Sequence, residues 1–275
     1  MRELIKSYQV WNPTTDKPDH TAIVWKENDN YYQSQHWATT EQFDLDSLST
    51  SKSIPIPMQI FKGRWHPSLT ESPPVPPTGS FLKRLCILLP DDYDSDEPEK
   101  PGVWTPGDYL VKEAKVYEIL KQHPHPNICV YYGCVRDVDH ITAICLKRYG
   151  CTLMYAVWES DPTLNHAAIL DGVSKGLTFL HETLGLVHND INPANIALDD
   201  TGDPVIIDFD SCIPIGEAIG LSSKAGTPGW TMEPMPTIAL PENDIYGLEQ
   251  IGEFMKGKQF IDIVPIIQEN LKGGI

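Results

Sequence analysis

The amino-acid sequence predicts an α+β chain in which strands and one helix come first and a mainly helical part with short strands follows. Three observations carry this. Short apolar runs bounded by Pro, Gly, Asn and Asp dominate up to Lys147, the pattern of strands and turns. Two stretches, 107–122 and 164–183, place apolar residues at a 3.6-residue period and read as helices. After the second helix come short strand-like runs, the last closing at Asp208. The 275 residues suffice for one large domain or for two lobes around a cleft, and 41% hydrophobic with 21% charged residues is ordinary for a globular chain.

Along the chain, residues 1–54 form an extension in which only Thr21–Trp25, Asn28-Asp29-Asn30 and Tyr31-Tyr32 read as a hairpin. From Pro55 to Pro77, repeated proline disfavours helix and central strands and predicts an extended connection or edge structure. Ser80–Leu89 reads as a buried strand. It leads into the acidic loop Asp91–Glu99, a solvated insertion with Ser95 as a candidate phosphate acceptor. The first helix, with Asp108 as its N-cap, aligns Leu110, Ala114, Tyr117 and Leu120. Apolar runs at 128–132 and 141–146 flank the polar Arg136–His140 and predict strand, turn and strand. The second helix carries the stripe Ile169, Val173, Leu177 and Leu180. The sequence contains no internal repeat.

A formal net charge of −17, with no local basic patch, argues against nucleic acid and anionic membranes as partners. Any bound nucleotide needs its phosphates offset locally, by a placed lysine and a divalent metal. The six cysteines show no C-x-x-C spacing and mostly sit in apolar runs, which predicts buried reduced thiols. The N-terminal residues lack a signal-like apolar stretch and no run approaches membrane-spanning length; the expectation is a soluble cytoplasmic, or nuclear, protein.

The chemistry concentrates in Leu180–Ile196 and the strand that follows. Asp190 and Asn195, five residues apart on a loop after a helix, can converge, one on an incoming hydroxyl and the other on a metal. Asp208 adds a carboxylate at the end of Val205-Ile206-Ile207. Phosphoryl transfer needs an oriented nucleophile and cations held against developing charge, and these three residues can supply both. As plain structure, Asp190 and Asn195 would be a turn with its favoured residues.

His188-Asn189-Asp190-Ile191-Asn192-Pro193-Ala194-Asn195, followed by Asp208-Phe209-Asp210, resembles the catalytic loop and metal-binding pair of the eukaryotic protein-kinase family. The resemblance spans about residues 80–255, and its wording is most similar to a group of fungal atypical serine/threonine kinase-like proteins. It implies a bilobal protein-kinase-like fold. The extension 1–54 would precede a β-rich N-lobe over 55–147 and an abbreviated helical C-lobe over 148–275, only 31 residues following Asp244. By that resemblance Asp190 would be the catalytic base, while Asn195 and Asp208 would hold Mg²⁺. Lys83 would bind ATP in an ion pair with Glu113, and Glu118 competes for that place because the repetition in His123–Ile128 blurs the register. Leu146 and Arg148 would lie in the hinge, where adenine meets backbone groups. Gly226–Trp230 would end the activation segment, and Asp244 would tie down the catalytic loop. The implied partners are ATP and a protein substrate.

Several positions depart from the family. No G-x-G-x-x-G precedes Lys83; Pro73, Pro74, Pro76, Pro77 and the single Gly79 stand there, so backbone amides cannot clamp phosphates in the usual way. Asn189 replaces the arginine that receives an activation-segment phosphate. Asn192 replaces a lysine near the transferred group, a loss on the order of 100-fold in rate. Asp210 replaces a glycine and either completes a two-carboxylate metal site with Asp208 or faces solvent.

Three readings follow: an atypical ATP- and Mg²⁺-dependent Ser/Thr kinase, a pseudokinase acting as a binding or scaffolding module, and a small-molecule kinase resembling the aminoglycoside and choline kinases. Asn189, Asn192 and Asp210 suit the third, against which Gly226–Trp230 stands.

Overall fold

In the computed structural model the described residues are 1–12, 17–37, 44–89, 104–220 and 226–257. The acidic loop with Ser95 and the chain beyond 257 lie outside them.

Four antiparallel strands, β1 (Arg2–Asn12), β2 (Lys17–Glu27), β3 (Asn30–His36) and β4 (Ile54–Ile56), form a sheet in that order. The predicted hairpin lies within it. Glu27 pairs with Asn30 around the two-residue turn Asn28-Asp29, and Asn28 takes φ 57°, a left-handed conformation that asparagine tolerates. Ala22, Ile23, Val24 and Trp25 are all buried, so this strand is covered on both faces.

The second sheet carries the candidate site. β5 (Gly63–Arg64) and β6 (Ser80–Lys83) pair with one edge of β8 (His140–Lys147), and β7 (Tyr131–Asp137) pairs with the other. The strand expected over Ser80–Leu89 therefore ends at Lys83. Residues Leu85 to Leu89 pack instead against Val24, Ile56, Ile60 and Phe61 beside the first sheet, and Leu89 N–H donates to Gln33 Oε1 at 2.8 Å. The strand expected at 128–132 starts at Tyr131; just before it, Ile128 and Cys129 bridge to Ile206 in the other lobe.

The proline-punctuated connection wraps the sheet. Trp65 N–H donates to Asp139 O at the β7–β8 turn, and Thr70 and Ser72 bracket Cys134 on the outer edge of β7. Glu118 anchors this detour, accepting from Thr70 N–H at 2.5 Å, Thr70 Oγ1 at 2.9 Å and Tyr131 OH at 2.7 Å.

Between the strands lies α1 (Pro106–Gln122). Its N-cap is Thr105, not Asp108. Asp108 occupies the third helical position, where its carboxylate accepts from Thr105 N–H while its own N–H donates to Thr105 Oγ1. After β8 come β9 (Cys151–Thr152) and α2 (Leu153–Trp158), then α3 (His166–Thr178), which continues into a π-helical turn at Phe179–Leu184. The stripe Ile169, Val173, Leu177 and Leu180 is buried as expected. Three short pairings follow. β10 (Leu186–Val187) pairs with β13 (Ile213–Pro214), and β11 (Ile196–Leu198) lies between β9 and β12 (Pro204–Ile206). α4 (Pro241–Met255) closes the described chain. Among the described residues no helix is long and apolar enough to cross a membrane. Cys129, Cys134, Cys145 and Cys212 are buried thiols, Cys151 is half-buried and Cys86 is exposed.

Candidate active site

Lys83 ends β6 with its ammonium between two carboxylates. Nζ lies 2.7 Å from Glu113 Oε1 on α1 and 2.7 Å from Asp208 Oδ1 after β12. Glu113 is the partner rather than Glu118 because one face of α1 turns toward β6, while Glu118 holds the Thr70 detour. Glu113 is only 2% exposed. Burial acts to lower the Lys83 pKa, but Asp208 and Glu113 outweigh it and hold the ammonium above its usual range. Burial pushes the Glu113 carboxyl up to about 7, against the pull of Lys83. The negative charge of Asp210 acts in the upward direction on the pKa of Lys83, of Glu113 and of Lys112 on α1.

Asp208 is aimed by its neighbour. Phe209 is fully buried, its ring 5.0 Å from that of His188 and 5.5 Å from that of Tyr117 on α1. That plug ties the residue after Asp208 to both the helix carrying Glu113 and the loop carrying Asp190. Asn189 and Asp208 both adopt φ 63°, a left-handed conformation costing roughly 1–2 kcal/mol for most residues and more easily tolerated by Asn and Asp.

The loop from His188 to Asn195 is fixed from below and from the side. Asp244 on α4 is fully buried; its carboxylate accepts from His188 N–H at 2.8 Å, Asn189 N–H at 2.7 Å and the His181 ring at 2.8 Å. His188 Nε2 donates to Ile207 O at 3.0 Å while its Nδ1 accepts from Asp190 N–H at 3.3 Å. Asn189 joins the loop to both flanks: its amide donates to Ser211 O, and its oxygen accepts from Asn243 on α4 at 3.0 Å.

The Asp190 carboxylate is held from two directions. Asn195 Nδ2 donates to Oδ2 at 2.9 Å, and Asn192 Nδ2 to Oδ1 at 3.1 Å. Asn195 also lies beside Asp208, because its backbone oxygen accepts from Ile207 N–H at 3.0 Å. Sequence reasoning missed Thr227, whose N–H and hydroxyl both donate to Asp190 Oδ1. Its signal, Gly226-Thr227-Pro228-Gly229-Trp230, was visible without its contact.

Mg²⁺ in phosphoryl-transfer sites is held by one or two carboxylates plus substrate phosphates rather than by an all-protein cage. Among the described residues there is no group of three or more His, Cys, Asp and Glu that could form such a cage. Asp208 with Asn195 beside it supplies a partial, all-oxygen donor set, which suits that metal. Leu146 and Arg148, expected at an adenine-binding hinge, make backbone contacts with β6 and the turn before it. Leu146 pairs with Phe81, and Arg148 N–H donates to Gly79 O at 2.8 Å.

Residues 99–234 match the family model of the protein kinase domain. That stretch holds Glu113, the catalytic-type loop and Asp208, but neither Lys83 nor Asp244, whose places rest on geometry. The chain is 32% identical over 142 residues to serine/threonine-protein kinase TAO3 of Xenopus laevis, covering 50% of this chain and 15% of that protein. It is 28% identical over 150 residues to mitogen-activated protein kinase kinase kinase 3 of Homo sapiens, covering 50% and 22%. It is 34% identical over 137 residues to serine/threonine-protein kinase Tao of Drosophila melanogaster, covering 48% and 12%. The chain thus spans under a quarter of the length of each of these relatives. With the two-lobed architecture, these matches make the fold bilobal, α+β and protein-kinase-like.

Proposed function

We propose that this chain, built on a protein-kinase-like fold, is an atypical serine/threonine kinase that moves the γ-phosphoryl group of ATP to a protein hydroxyl with the help of Mg²⁺. The observation that carries the reading is the convergence of Lys83, Glu113 and Asp208 from a strand, a helix and a strand end, at 2.7 Å contacts. Glu113 is buried while Lys83 and Asp208 are half-buried, and a charge taken from water in this way is costly unless it is paired, as it is here.

In this reading Lys83 binds the phosphates and Glu113 fixes its position. Asp190 orients the incoming hydroxyl and accepts its proton, while Asn192, Asn195 and Thr227 keep the carboxylate from turning away. When bound, Mg²⁺ would be held by Asp208 and Asn195, with Asp210 close by, and would offset the negative charge of the phosphates. The similarity to kinases named for serine and threonine, and the Thr227–Asp190 contact, support a hydroxyl acceptor. The likeness to fungal kinase-like proteins is part of the same proposal. Purified protein given Mg²⁺ and γ-labelled ATP should label itself or a generic Ser/Thr substrate. Label that is absent, or unchanged in Asp190→Ala, removes the reading.

A pseudokinase is the second reading. It is favoured by the path of the chain before Lys83, which runs along the outer edge of β7 at Thr70–Ser72 instead of presenting a glycine-rich turn to the phosphates. A ligand that binds only the folded state raises its stability. Failure of ATP with Mg²⁺ or Mn²⁺ to raise the melting temperature would favour this scaffold role.

A further inference from the structure

The segment from Lys62 to Ser72 touches α1 near both of its ends. At the first turn two glycines let backbone and helix meet. A Cβ on Gly107 would lie 2.6 Å from the carbonyl carbon and oxygen of Lys62, and one on Gly63 would lie 2.6 Å from Val111 Cγ2. Farther along the helix by about 16 Å, the Glu118 carboxylate accepts from Thr70 N–H at 2.5 Å and from Thr70 Oγ1 at 2.9 Å. Glu113, which meets Lys83, lies between these two contacts.

The same segment is seated on β7. Cys134 N–H donates to Thr70 O at 2.7 Å and Ser72 N–H to Cys134 O at 2.9 Å. Beside them a Cβ on Gly133 would lie 2.7 Å from Ser72 N, so glycine at that place is what lets the two backbones approach. Tyr131, also on β7, holds α1 twice: its OH donates to Glu118 Oε1 at 2.7 Å, and its ring stacks on Tyr117 with centres 5.4 Å apart. An α-helix turns about 100° per residue, so Glu113 and Glu118 point about 140° apart around α1. A rotation that carried Glu113 away from Lys83 would therefore pull Glu118 off Thr70 and Tyr131.

We propose that Lys62–Ser72 is a strap that holds α1 at the rotation where Glu113 meets Lys83, and that Glu118 and Thr70 are positioning residues for phosphoryl transfer, acting through that pair. Placement of this kind matters to rate, since a displacement of about 1 Å at the reacting groups can cost on the order of 100-fold. The inference rests on the phosphotransferase reading above and deepens it, adding two residues that act from outside the charged cluster.

Hydrogen exchange and a mutant cycle on the full chain test it. The Thr70 amide should be protected in the parent and released in Glu118→Ala, while Glu118→Gln, which keeps a side-chain oxygen as acceptor, should leave it protected. For transfer from Mg·ATP to a generic Ser/Thr substrate, kcat/KM should fall at least about tenfold in Glu118→Ala and stay within about threefold of the parent in Glu118→Gln. Residues that act as a unit are not additive, so in a Glu113→Ala background Glu118→Ala should bring less than about a twofold further loss. Should Glu118→Ala not fold, Thr70→Val removes one hydroxyl donor and keeps the main-chain contact. It should lose severalfold in the parent background and nothing in Glu113→Ala. Losses that multiply across the two backgrounds, or a Thr70 amide that exchanges freely in the parent, overturn the inference and leave the kinase reading standing. A parent that transfers no phosphate overturns the phosphotransferase reading itself, and this inference with it.

Discussion

Thr227 Oγ1 donates to Asp190 Oδ1 at 2.7 Å, joining residues 37 positions apart, and Thr227 N–H reaches the same oxygen at 2.8 Å. With Asn189 bonded to Ser211 O, this ties Ser211 and Thr227, both after Asp208, to the catalytic-type loop without a cationic side chain. A phosphate-receiving arginine is not needed for that docking.

Replacing the Thr227 hydroxyl therefore isolates one support of the proposed base. Thr227→Val keeps the N–H contact and loses the hydroxyl, about 1 kcal/mol and so a several-fold fall in transfer rate. Thr227→Ser should stay near the parent rate. Asp190→Ala removes the base itself, a loss on the order of 10²–10⁴. Steady-state labelling of a Ser/Thr substrate separates these, and equal rates for the Val and Ser variants would show that the hydroxyl does not act on Asp190.

Asp244 supplies the next prediction. Its fully buried carboxylate accepts two backbone N–H groups and the His181 ring. Asp244→Ala leaves those donors buried without a partner, at a cost of about 3–5 kcal/mol. Urea denaturation should show this as a lower midpoint with an unchanged slope. A shift below 1 kcal/mol would mean that water reaches the loop from the α4 side.

The raised Glu113 pKa gives a pH dependence with a definite sign. Its carboxyl is pushed up to about 7 by burial in the folded protein, from 4.5 in the open chain. Between those values the folded state binds more protons than the unfolded state. Stability from this group is therefore fully present below about 4.5 and is lost as pH rises through about 7. The unfolding free energy of the parent, minus that of Glu113→Gln, should fall across this window, by no more than about 1.4 kcal/mol per pH unit. Lys83 pulls the Glu113 pKa down, so Lys83→Met should move the window to higher pH. An increase across the window, or no change, contradicts the assignment.

The sequence exposes some of these relationships and hides others for physical reasons. Asp190, Asn195 and Asp208 are legible because the spacing that brings them together is local: a loop, then the hairpin in which Ile196 pairs with Ile206. Which glutamate meets Lys83 depends on how α1 is rotated against a strand thirty residues away, and Glu113 and Glu118 are equally acidic in the sequence. The hairpin around Asn28-Asp29 is legible from its turn, but the consecutive burial of Ala22 to Trp25 removes the alternation that would mark a half-buried strand, so the extent of the N-terminal sheet is not. Leu85 to Leu89 look like more of β6 for the same reason, since apolar residues that turn aside to cover that sheet read like residues that continue the strand. Thr105 could have been found as the helix cap, because Thr-x-x-Asp precedes the apolar stripe. Gly79 could not; a single glycine after prolines gives no sign that its carbonyl reaches Arg148.

Two glycines on α4 allow a matched test of how closely that helix supports the loop. A Cβ on Gly247 would lie 2.4 Å from Ile191 O and 2.9 Å from Ile191 Cβ, backbone and side chain of the residue after Asp190. Neither can yield without moving the loop. Gly247→Ala should thus cost about 1–3 kcal/mol as overpacking and lower the transfer rate. On Gly252 the nearest atoms are Leu170 Cδ1 at 3.7 Å and Cδ2 at 3.9 Å, ordinary contacts. Gly252→Ala should gain up to about 1 kcal/mol, because alanine loses less backbone entropy in a helix. Melting curves of the two variants should therefore shift in opposite directions. A Gly247→Ala protein as stable as the parent would mean that α4 stands farther from Ile191 than these distances state.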